Sequence, residues 1–264
     1  MAATGLFKRE THYLDKMGFK ELFPAFFSYY AIQVYILLVI SGYIATYFYA
    51  ESMLSVAISV AFAIAIFAPS WYIAHRWVLH GKWLYKIKFT AKYWKRVHYD
   101  HHQDPHNLEV LFGALYTTLP PLALINMPAG YLIGGWGGAF AAFATGCLWT
   151  ILNEFFHCIE HLNFKPKAKW LKHIKEQHMM HHFHNEDGNY GITNFGWDRL
   201  LGTYYLRKDR PTKSKTVFNL GYTEEEAEKY PWVAEASGGV DNRRPREKRA
   251  TYKTSSHINN SEAT

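Results

Sequence analysis

The sequence predicts an all-α integral membrane protein in which four transmembrane helices lie beneath a cytoplasmic helical cap. Two observations lead to this class. Hydrophobic residues make up 49% of the 264 residues, and they gather in long runs separated by stretches rich in Lys, Arg and His, which is typical of membrane helices with polar connections. No run alternates apolar and polar residues, and strands cross lipid only as closed barrels. A β structure is therefore not expected.

The first two apolar runs, residues 26–50 and 53–74, predict a tight transmembrane hairpin. As a helix, each run is long enough to cross roughly 30 Å of hydrocarbon. Glu51 is the one charged residue between them. The connection is therefore expected to be a short turn outside the bilayer.

The third and fourth runs, residues 110–133 and 135–156, complete the predicted set of membrane helices. Pro120 and Pro121 interrupt the third run, and proline inside a helix predicts a kink or a break. The fourth run starts with the stretch GGWGGAFAAFATG, and such small residues allow helices to pack closely in lipid. Four crossings place both ends of the chain on the same side.

The distribution of positive charge predicts which side that is. All 29 Lys and Arg residues lie before Phe26, between Arg76 and Arg96, or after His161. By the positive-inside rule, both termini and the central loop are then cytoplasmic. This topology accounts for the net charge of +7, and no recognition motif for nucleic acid accompanies that charge. We therefore expect a multi-pass protein without a nucleic-acid partner.

The domain boundaries follow from composition. Residues 1–25 are expected to form a cytoplasmic or interfacial segment, because the first apolar run starts too late and is too long for a cleavable signal peptide. Residues 237–264 are rich in Arg, Ser and Asn and are expected to be disordered. Residues 26–236 remain as the membrane domain. The two cysteines, Cys147 and Cys158, form no disulfide framework.

Ten of the fifteen histidines fall into four groups, each at the end of a membrane run or in the cytoplasmic segment that follows it. The groups are HRWVLH, HYDHH, HCIEH and HMMHH. The topology brings all four groups to one membrane face, which chance would not arrange. Their histidines are the candidate metal ligands: His75, His80, His98, His101, His102, His157, His161, His178, His181 and His182.

The spacing within the groups is that of helix faces. Positions i, i+3 and i+4 share one face, so HYDHH and HMMHH can each aim three imidazoles at one point. His75 and His80 are five residues apart, or about 140° around an ideal helix. They require a helix end or a kink between them, unless they reach different metals. Ten imidazoles exceed what a single ion takes and suit a pair of ions with about five nitrogens each.

The histidines do not identify the metal ion, but they restrict the reactions that the site could catalyse. Imidazole suits zinc, iron, copper and nickel. A structural zinc site needs only four ligands, and HCIEH does not match the H-E-x-x-H helix of a zinc hydrolase. Two ions held by neutral imidazoles suit a redox pair that activates O₂ and attacks an unactivated C–H bond. A substrate drawn from the bilayer fits this location.

The four groups in this order, followed by GNYGITNFGWDRLLGTYY, resemble the fatty acid hydroxylase/sterol desaturase superfamily of integral-membrane, histidine-rich diiron oxygenases. The resemblance covers about residues 75–205. The spacing in HRWVLH is similar to that of fatty acid 2-hydroxylases, whereas sterol desaturases more often have one residue fewer. The segment after the last group is shared with sterol oxidases and does not separate the branches.

The resemblance implies a set of roles. The ten histidines would hold two iron ions, with zinc possible in the isolated protein, and no catalytic residue beyond these ligands and no other cofactor site is assigned. The enzyme would be an oxidoreductase that hydroxylates the acyl chain of a fatty acid or complex lipid. It would use O₂ and two electrons from an external donor of the cytochrome b5 or ferredoxin type, and the basic cytoplasmic face could dock such an acidic partner.

Other functions remain open. A sterol-type desaturase or methyl oxidase, or a lipid head-group hydroxylase, would use the same metal site. A membrane metal-transport or metal-binding protein is an alternative of another class. Transporters place ligands near the bilayer midplane, whereas these histidines lie at a membrane edge. The ligand position therefore argues against transport.

Outer residues are expected to orient the imidazoles, because metal-bound histidine usually donates its second N–H to a carboxylate or carbonyl. Trp197 and Asp198 are candidates to fix the segment after the last group. His106, His173 and His184 lie close in sequence, but spacing gives them no ligand role. The candidate carboxylates are Glu154, Glu160, Asp100 and Asp187.

Overall fold

The computed structural model describes residues 12–249. Within that range every regular element is a helix and no strand occurs, which confirms the all-α prediction. Three stretches are long and apolar enough to cross a membrane, namely Tyr30–Tyr49, Met53–Lys86 and Leu108–His161. In chain order the helices are α1 (Phe19–Ser28), α2 (Tyr30–Tyr49), α3 (Met53–Ile73), α4 (Lys88–Trp94), α5 (Asp100–Gln103), α6 (Leu108–Leu111), α7 (Leu115–His161), α8 (Lys169–Phe183), α9 (Gly196–Leu200), α10 (Glu224–Lys229) and α11 (Trp232–Ser237).

The first long helix starts at Tyr30, later than the apolar run suggests. Tyr29 has extended backbone angles (φ −73°, ψ 128°) and separates α1 from α2. The Ser28 hydroxyl donates to the Ala25 carbonyl at 2.7 Å, which satisfies an acceptor at the end of α1. Residues 26–28 therefore belong to a short separate helix, because their apolar character does not distinguish a bilayer from a packed protein surface.

A glycine pair divides α7 into two halves. Gly134 and Gly135 leave helical geometry, and Gly135 has a φ of +57°, a conformation that glycine adopts readily. This break lies at the predicted boundary between the third and fourth apolar runs. The helix continues through Pro120 and Pro121, where a kink or a second break was predicted. The combination of φ +57° and ψ −151° at Gly135 is one that residues with a side chain rarely adopt.

The two halves of α7 pack against each other and against α2. A Cβ atom on Gly130 or Gly138 would collide with the carbonyl oxygen of the other residue. A Cβ on Gly42 of α2 would lie 2.9 Å from the Cβ of Ala144. The hydroxyl of Tyr43 is 2.9 Å from that of Thr145. Small residues therefore allow close helix contact. Such packing is expected of membrane helices, because in lipid the hydrophobic effect does not drive helices together.

Several short helices contact one another, α4 with α11, α10 with α11 and α5 with α6, and together they are called the cap below. One of its apolar clusters contains Tyr85, Trp94, Tyr99 and Tyr222. Residues 238–249 lie against this cap, where the Arg249 guanidinium donates to the Asp15 carboxylate at 2.8 and 3.0 Å. The rest of the tail that we expected to be disordered, residues 250–264, and the first eleven residues lie outside the described range.

Candidate metal centre

HRWVLH lies on a π-helical turn, Ala74–Leu79, that continues α3. The backbone N–H of His80 donates to the carbonyl of His75, 3.0 Å away and five residues earlier. A π-turn closes its hydrogen bonds over five residues, so side chains five apart point to the same side. The turn is the departure from ideal helix that the spacing of His75 and His80 required.

The other three groups are also helical. HYDHH begins on a second π-turn, Lys95–Tyr99, and continues into α5. HCIEH forms the last turn of α7, and HMMHH lies near the end of α8. Nine of the ten side chains are buried and that of His80 is partly buried.

The ten histidines converge as two groups of five. Within each group the candidate ligand nitrogens all lie within 4.8 Å of one another. The first group consists of His75, His80, His98, His102 and His181. The second group consists of His101, His157, His161, His178 and His182.

The sequence prediction that each HxxHH motif aims three imidazoles at one point is wrong. In HYDHH, His98 and His102 belong to the first group, whereas His101 belongs to the second. HMMHH divides in the opposite sense, since only His181 joins the first group. Adjacent residues differ by about 100° around a helix. Two neighbouring histidines can therefore serve two sites that lie side by side.

The spacing of the nitrogens fits a bound cation. In the first group, Nε2 of His98 lies 3.0 Å from Nε2 of His75 and 2.9 Å from that of His80. In the second group, Nε2 of His161 lies 3.0 Å from that of His178. Nitrogens bound at right angles about 2.1 Å from one ion have this separation. A metal ion satisfies all of these lone pairs, whereas hydrogen bonds among three converging neutral rings do not.

Backbone carbonyls fix the tautomer of the first group. His75 donates from Nδ1 to the carbonyl of Tyr190, His102 to that of Val217 and His181 to that of Gly188. A carbonyl only accepts, so the proton is on Nδ1 and the Nε2 lone pair faces the centre. The Nε2 atoms of His102 and His181 are buried and have no hydrogen-bond partner. Such orphaned acceptors are what a metal ion would occupy.

Asp198 fixes the carbonyl that holds His75. Its buried carboxylate accepts from the backbone N–H of Tyr190 at 2.8 Å, from that of Gly191 at 2.9 Å, and from the hydroxyl of Thr203 at 2.8 Å. The expected role of Asp198 in fixing this segment therefore has a structural basis. Trp197 is half-buried and makes no comparable set of bonds.

Two of the four candidate carboxylates lie beside the second group. An oxygen of Glu154 is 3.7 Å from Nδ1 of His157, and an oxygen of Glu160 is 3.8 Å from Nδ1 of His178. These separations exceed a direct hydrogen bond, yet both carboxylates are buried and face the outer nitrogens. They lie next to the site without joining the ligand sets.

The other candidates lie elsewhere. Asp100 pairs with Lys95 at 2.7 Å, and Asp187 is exposed. Three further histidines have other partners: His106 meets the carbonyl of His161, His173 the hydroxyl of Tyr204, and His184 the carbonyl of Pro211.

Burial keeps the imidazoles outside the membrane-spanning segments neutral. Removal from water lowers the pKa of His98 and His102 well below the usual value, and the neighbouring rings lower it further. Burial lowers the pKa of His181 to about 4, although its bond to Gly188 opposes the shift. Neutral imidazole is the form that binds metal, so the site is ready to accept cations at neutral pH.

An apolar cavity of about 280 Å³ reaches both groups of histidines. It lies among α2, α3 and α7, where Phe67, Trp71 and Leu122 are part of its wall. Tyr35, Asn126 and Glu154 are among its polar residues. At one end it is closed by His75, His98, His101, His157 and His178. A narrow apolar cavity that ends at a metal centre is suited to an acyl chain.

The fold and the site together define a protein with helices long and apolar enough to cross a membrane and with two histidine groups that could each hold a metal ion. The model of the fatty acid hydroxylase family matches residues 60–203, a range that includes all ten histidines. The chain therefore belongs to the fatty acid hydroxylase family, which confirms the resemblance found in the sequence.

Similar proteins of known name are also fatty acid or fatty acyl hydroxylases. Dihydroceramide fatty acyl 2-hydroxylase FAH2 of Arabidopsis thaliana is 27% identical over 154 residues, 56% of this chain and 61% of that protein. Human fatty acid 2-hydroxylase is 26% identical over 158 residues, 53% of this chain and 37% of that protein. Each match spans less than two thirds of the relative. The structure of full-length scs7p, with only the hydroxylase domain visible, shares the fold with a TM-score of 0.60 at 20% identity, covering 70% of this chain and 68% of that chain.

Sequence reasoning missed several residues that act on the site through their backbone. The carbonyl of Val217 holds His102 from a segment far along the chain, and a carbonyl carries no signal in the sequence. Lys175 was also missed, because a partly buried lysine in a helix with several lysines cannot be told from its neighbours in the sequence. Its ammonium donates to the carbonyls of Glu160 at 2.8 Å and Leu162 at 2.6 Å, and so caps the end of α7.

Proposed function

We propose that the chain is a membrane-bound diiron monooxygenase that hydroxylates the acyl chain of a fatty acid or complex lipid, using O₂ and two electrons from an external donor. The observation that supports this most is the apolar cavity that ends at two groups of five imidazoles. The names of the relatives favour the second carbon of the acyl chain, since they are acyl 2-hydroxylases.

The ten histidines are the proposed ligands, five for each ion. Iron bound there would supply the O₂ activation that cleavage of an unactivated C–H bond requires. Both groups close one end of the cavity, so a single substrate carbon can approach both sites. The rings of His102 and His182, which belong to different groups, have centroids 4.2 Å apart. The two sites are therefore neighbours.

The chain's own residues would bind the acyl chain, orient the imidazole rings and exclude water. The cavity wall holds an acyl chain by burial of apolar surface, which also displaces water from the reacting carbon. The carbonyls of Tyr190, Val217 and Gly188 keep three rings in one tautomer and orientation. The carboxyl groups of Glu154 and Glu160 lie behind His157 and His178, where they would help to orient the imidazoles.

We further propose that the bundle crosses the membrane four times, with the two halves of α7 as separate crossings. The reversal at Gly134 and Gly135 and the contact between the halves support this count. By the distribution of Lys and Arg, the termini, the cap and the metal centre are cytoplasmic. Cysteine labelling from each side of sealed vesicles tests the orientation, with Glu51→Cys expected to react from the outside.

The electron donor is proposed to be a separate acidic protein of the cytochrome b5 or ferredoxin type. Lysines and arginines on the cap provide a basic face, and charge complementarity accelerates such encounters. Salt dependence of reduction by each purified donor tests the docking.

The function is tested by metal analysis and lipid mass spectrometry together. Purified protein is expected to contain two transition-metal ions per chain, and expressing cells are expected to contain lipids heavier by one oxygen atom. Fragmentation of those lipids should place the hydroxyl on the acyl chain. A product oxidised only on a sterol or on a head group would refute the acyl assignment and support the alternative on the same site. Absence of transition metal from folded protein would refute the site itself.

A further inference from the structure

A second, open cavity lies outside the wall of the inner one. This outer groove, of about 850 Å³, lies between α4 and the start of α7. Its lining includes Phe89, Lys92 and Tyr93 of α4, and Tyr116 and Thr117 of α7. Neither the histidine groups nor the fold explains why a groove of this size is present here.

The outer groove and the inner cavity share one wall. Val78, Leu79, Val97 and Thr117 line both. Leu79 precedes a histidine of the first group, and Val97 precedes another. A single layer of side chains therefore separates the groove from the metal centre. A molecule that crosses this layer would extend from the groove past the histidines into the apolar cavity.

The rim of the groove has the character of a membrane interface. Phe89 is 67% exposed and Tyr116 is 61% exposed. The ring centroids of Tyr93 and Tyr116 lie 5.7 Å apart. Aromatic residues gather at the level of lipid head groups, and Tyr116 belongs to a helix that is long and apolar enough to cross a membrane. The mouth of the groove is therefore placed where a lipid can enter sideways.

One cation faces the groove. Among the residues that the structure describes, Lys92 is the only charged residue of the lining, and no carboxylate of that range pairs with it. Its ammonium lies 4.9 Å from the ring centroid of Tyr93 and 5.4 Å from that of Phe89. Lys92 is exposed, and an ammonium without a counter-ion at the rim of an apolar groove attracts an anion.

We infer that the outer groove binds the anionic head of the lipid substrate, a carboxylate or a phosphate, while the acyl chain lies in the inner cavity. This inference rests on the proposed hydroxylase function. It also accounts for attack close to the head, because the shared wall lies directly beside the histidines. A lipid held in this way has its first acyl carbons at the metal centre and the remainder of the chain deeper among α2, α3 and α7.

Photo-cross-linking tests the location without turnover. Purified full-length protein is labelled with palmitic acid that carries a diazirine next to the carboxylate, or near the methyl end. The first probe is expected to label peptides of residues 84–94, and the second peptides of α3 or α7. The inference is overturned if the methyl-end probe labels residues 84–94, or if neither probe labels them. This holds even if lipid hydroxylation is observed, so the two proposals fail separately.

Matched lysine variants test the charge. Unlabelled palmitic acid and palmitoyl lysophosphatidic acid each compete with the photoprobe for the protein. In Lys92→Gln, the concentration of each lipid needed for half-maximal competition is expected to rise about two- to fivefold, the range of a surface ion pair. Lys88→Gln is the control, since its ammonium lies over the ring of Trp232 and outside the groove. A loss for one acid only identifies carboxylate or phosphate as the head. Equal loss for neutral N-palmitoyl sphinganine, or equal loss in both variants, contradicts an anionic head site.

Discussion

The carboxylate of Asp198 accepts the backbone N–H of Tyr190 at 2.8 Å, and the carbonyl of the same Tyr190 accepts Nδ1–H of His75. One peptide segment thus connects a buried acid to a candidate metal ligand. The acid does not approach the metal centre and acts through the orientation of an imidazole ring.

Asp198→Asn should therefore weaken metal binding in the first group. One amide oxygen cannot accept all three bonds that the carboxylate accepts, so the Tyr190 carbonyl loses its fixed position. Loss of such an outer partner typically costs about 10- to 100-fold in metal affinity. Competition with a chelator measures this loss. Asp187→Asn, at an exposed position, is the control, and equal affinity in both variants would contradict the positioning role.

The division of HMMHH makes a sharper prediction about stoichiometry. His181 and His182 are adjacent, yet they belong to different groups. His181→Ala should release metal from the first group only, and His182→Ala from the second only. Each variant should insert into the membrane normally and lose turnover. Metal-to-protein ratios, measured after gel filtration, should fall by about half in each case. Turnover near the parent level in both variants would refute their roles as ligands.

Lys175 should stabilise the last turn of α7. Its ammonium satisfies carbonyls that have no partner within that helix. Lys175→Met leaves the carbonyl of Glu160 without this donor and is expected to cost about 1–3 kcal/mol; the carbonyl of Leu162 keeps the N–H of Phe164. Thermal unfolding in detergent measures this. Lys172→Met, on the exposed side of α8, is the matched control, and equal melting temperatures of the two variants would show that the cap contributes little.

Stability of the metal-free chain should fall with acid. Unfolded histidine titrates near 6.5, whereas burial lowers the pKa of His98 and His102 well below this value and that of His181 to about 4. Below pH 6.5 the unfolded chain therefore binds protons that the folded chain does not. The loss should begin near pH 6.5 and continue towards pH 4. Denaturant midpoints between pH 8 and 5 check it, and a flat profile would contradict the neutral state.

The glycine contact in α7 should be intolerant of side chains. Gly138→Leu would force a side chain into the carbonyl of Gly130, so the halves could not pack closely. We expect aggregation or loss of monodisperse protein in gel filtration. Leu132→Ala is the control, because that side chain is 86% exposed. Normal elution of Gly138→Leu would argue against the close packing of the two halves.

The sequence was sufficient for the helical class and for the histidines that the structure brings together, for a physical reason. Apolar runs and histidine spacing are local patterns, and local patterns survive in a linear sequence. The assignment of His101 and His102 to different groups could not be predicted, because it depends on where α7 and α8 approach α5. The carbonyls of Val217 and Tyr190 could not be predicted either, since every residue has one. The break at Gly134 and Gly135 lies at the predicted boundary between the third and fourth apolar runs, whereas the continuity of the helix through Pro120 and Pro121 was not predicted.

The division of the histidines has a consequence for biosynthesis. The first group lacks a member until His181 is made, and the second lacks two until His178 and His182 are made. If the two groups hold metal ions as proposed, neither group could give an ion its full coordination while the ribosome is still translating the earlier helices. Loading with metal would then wait until α8 has been made, and a truncated product that ends before α8 would have two incomplete sites.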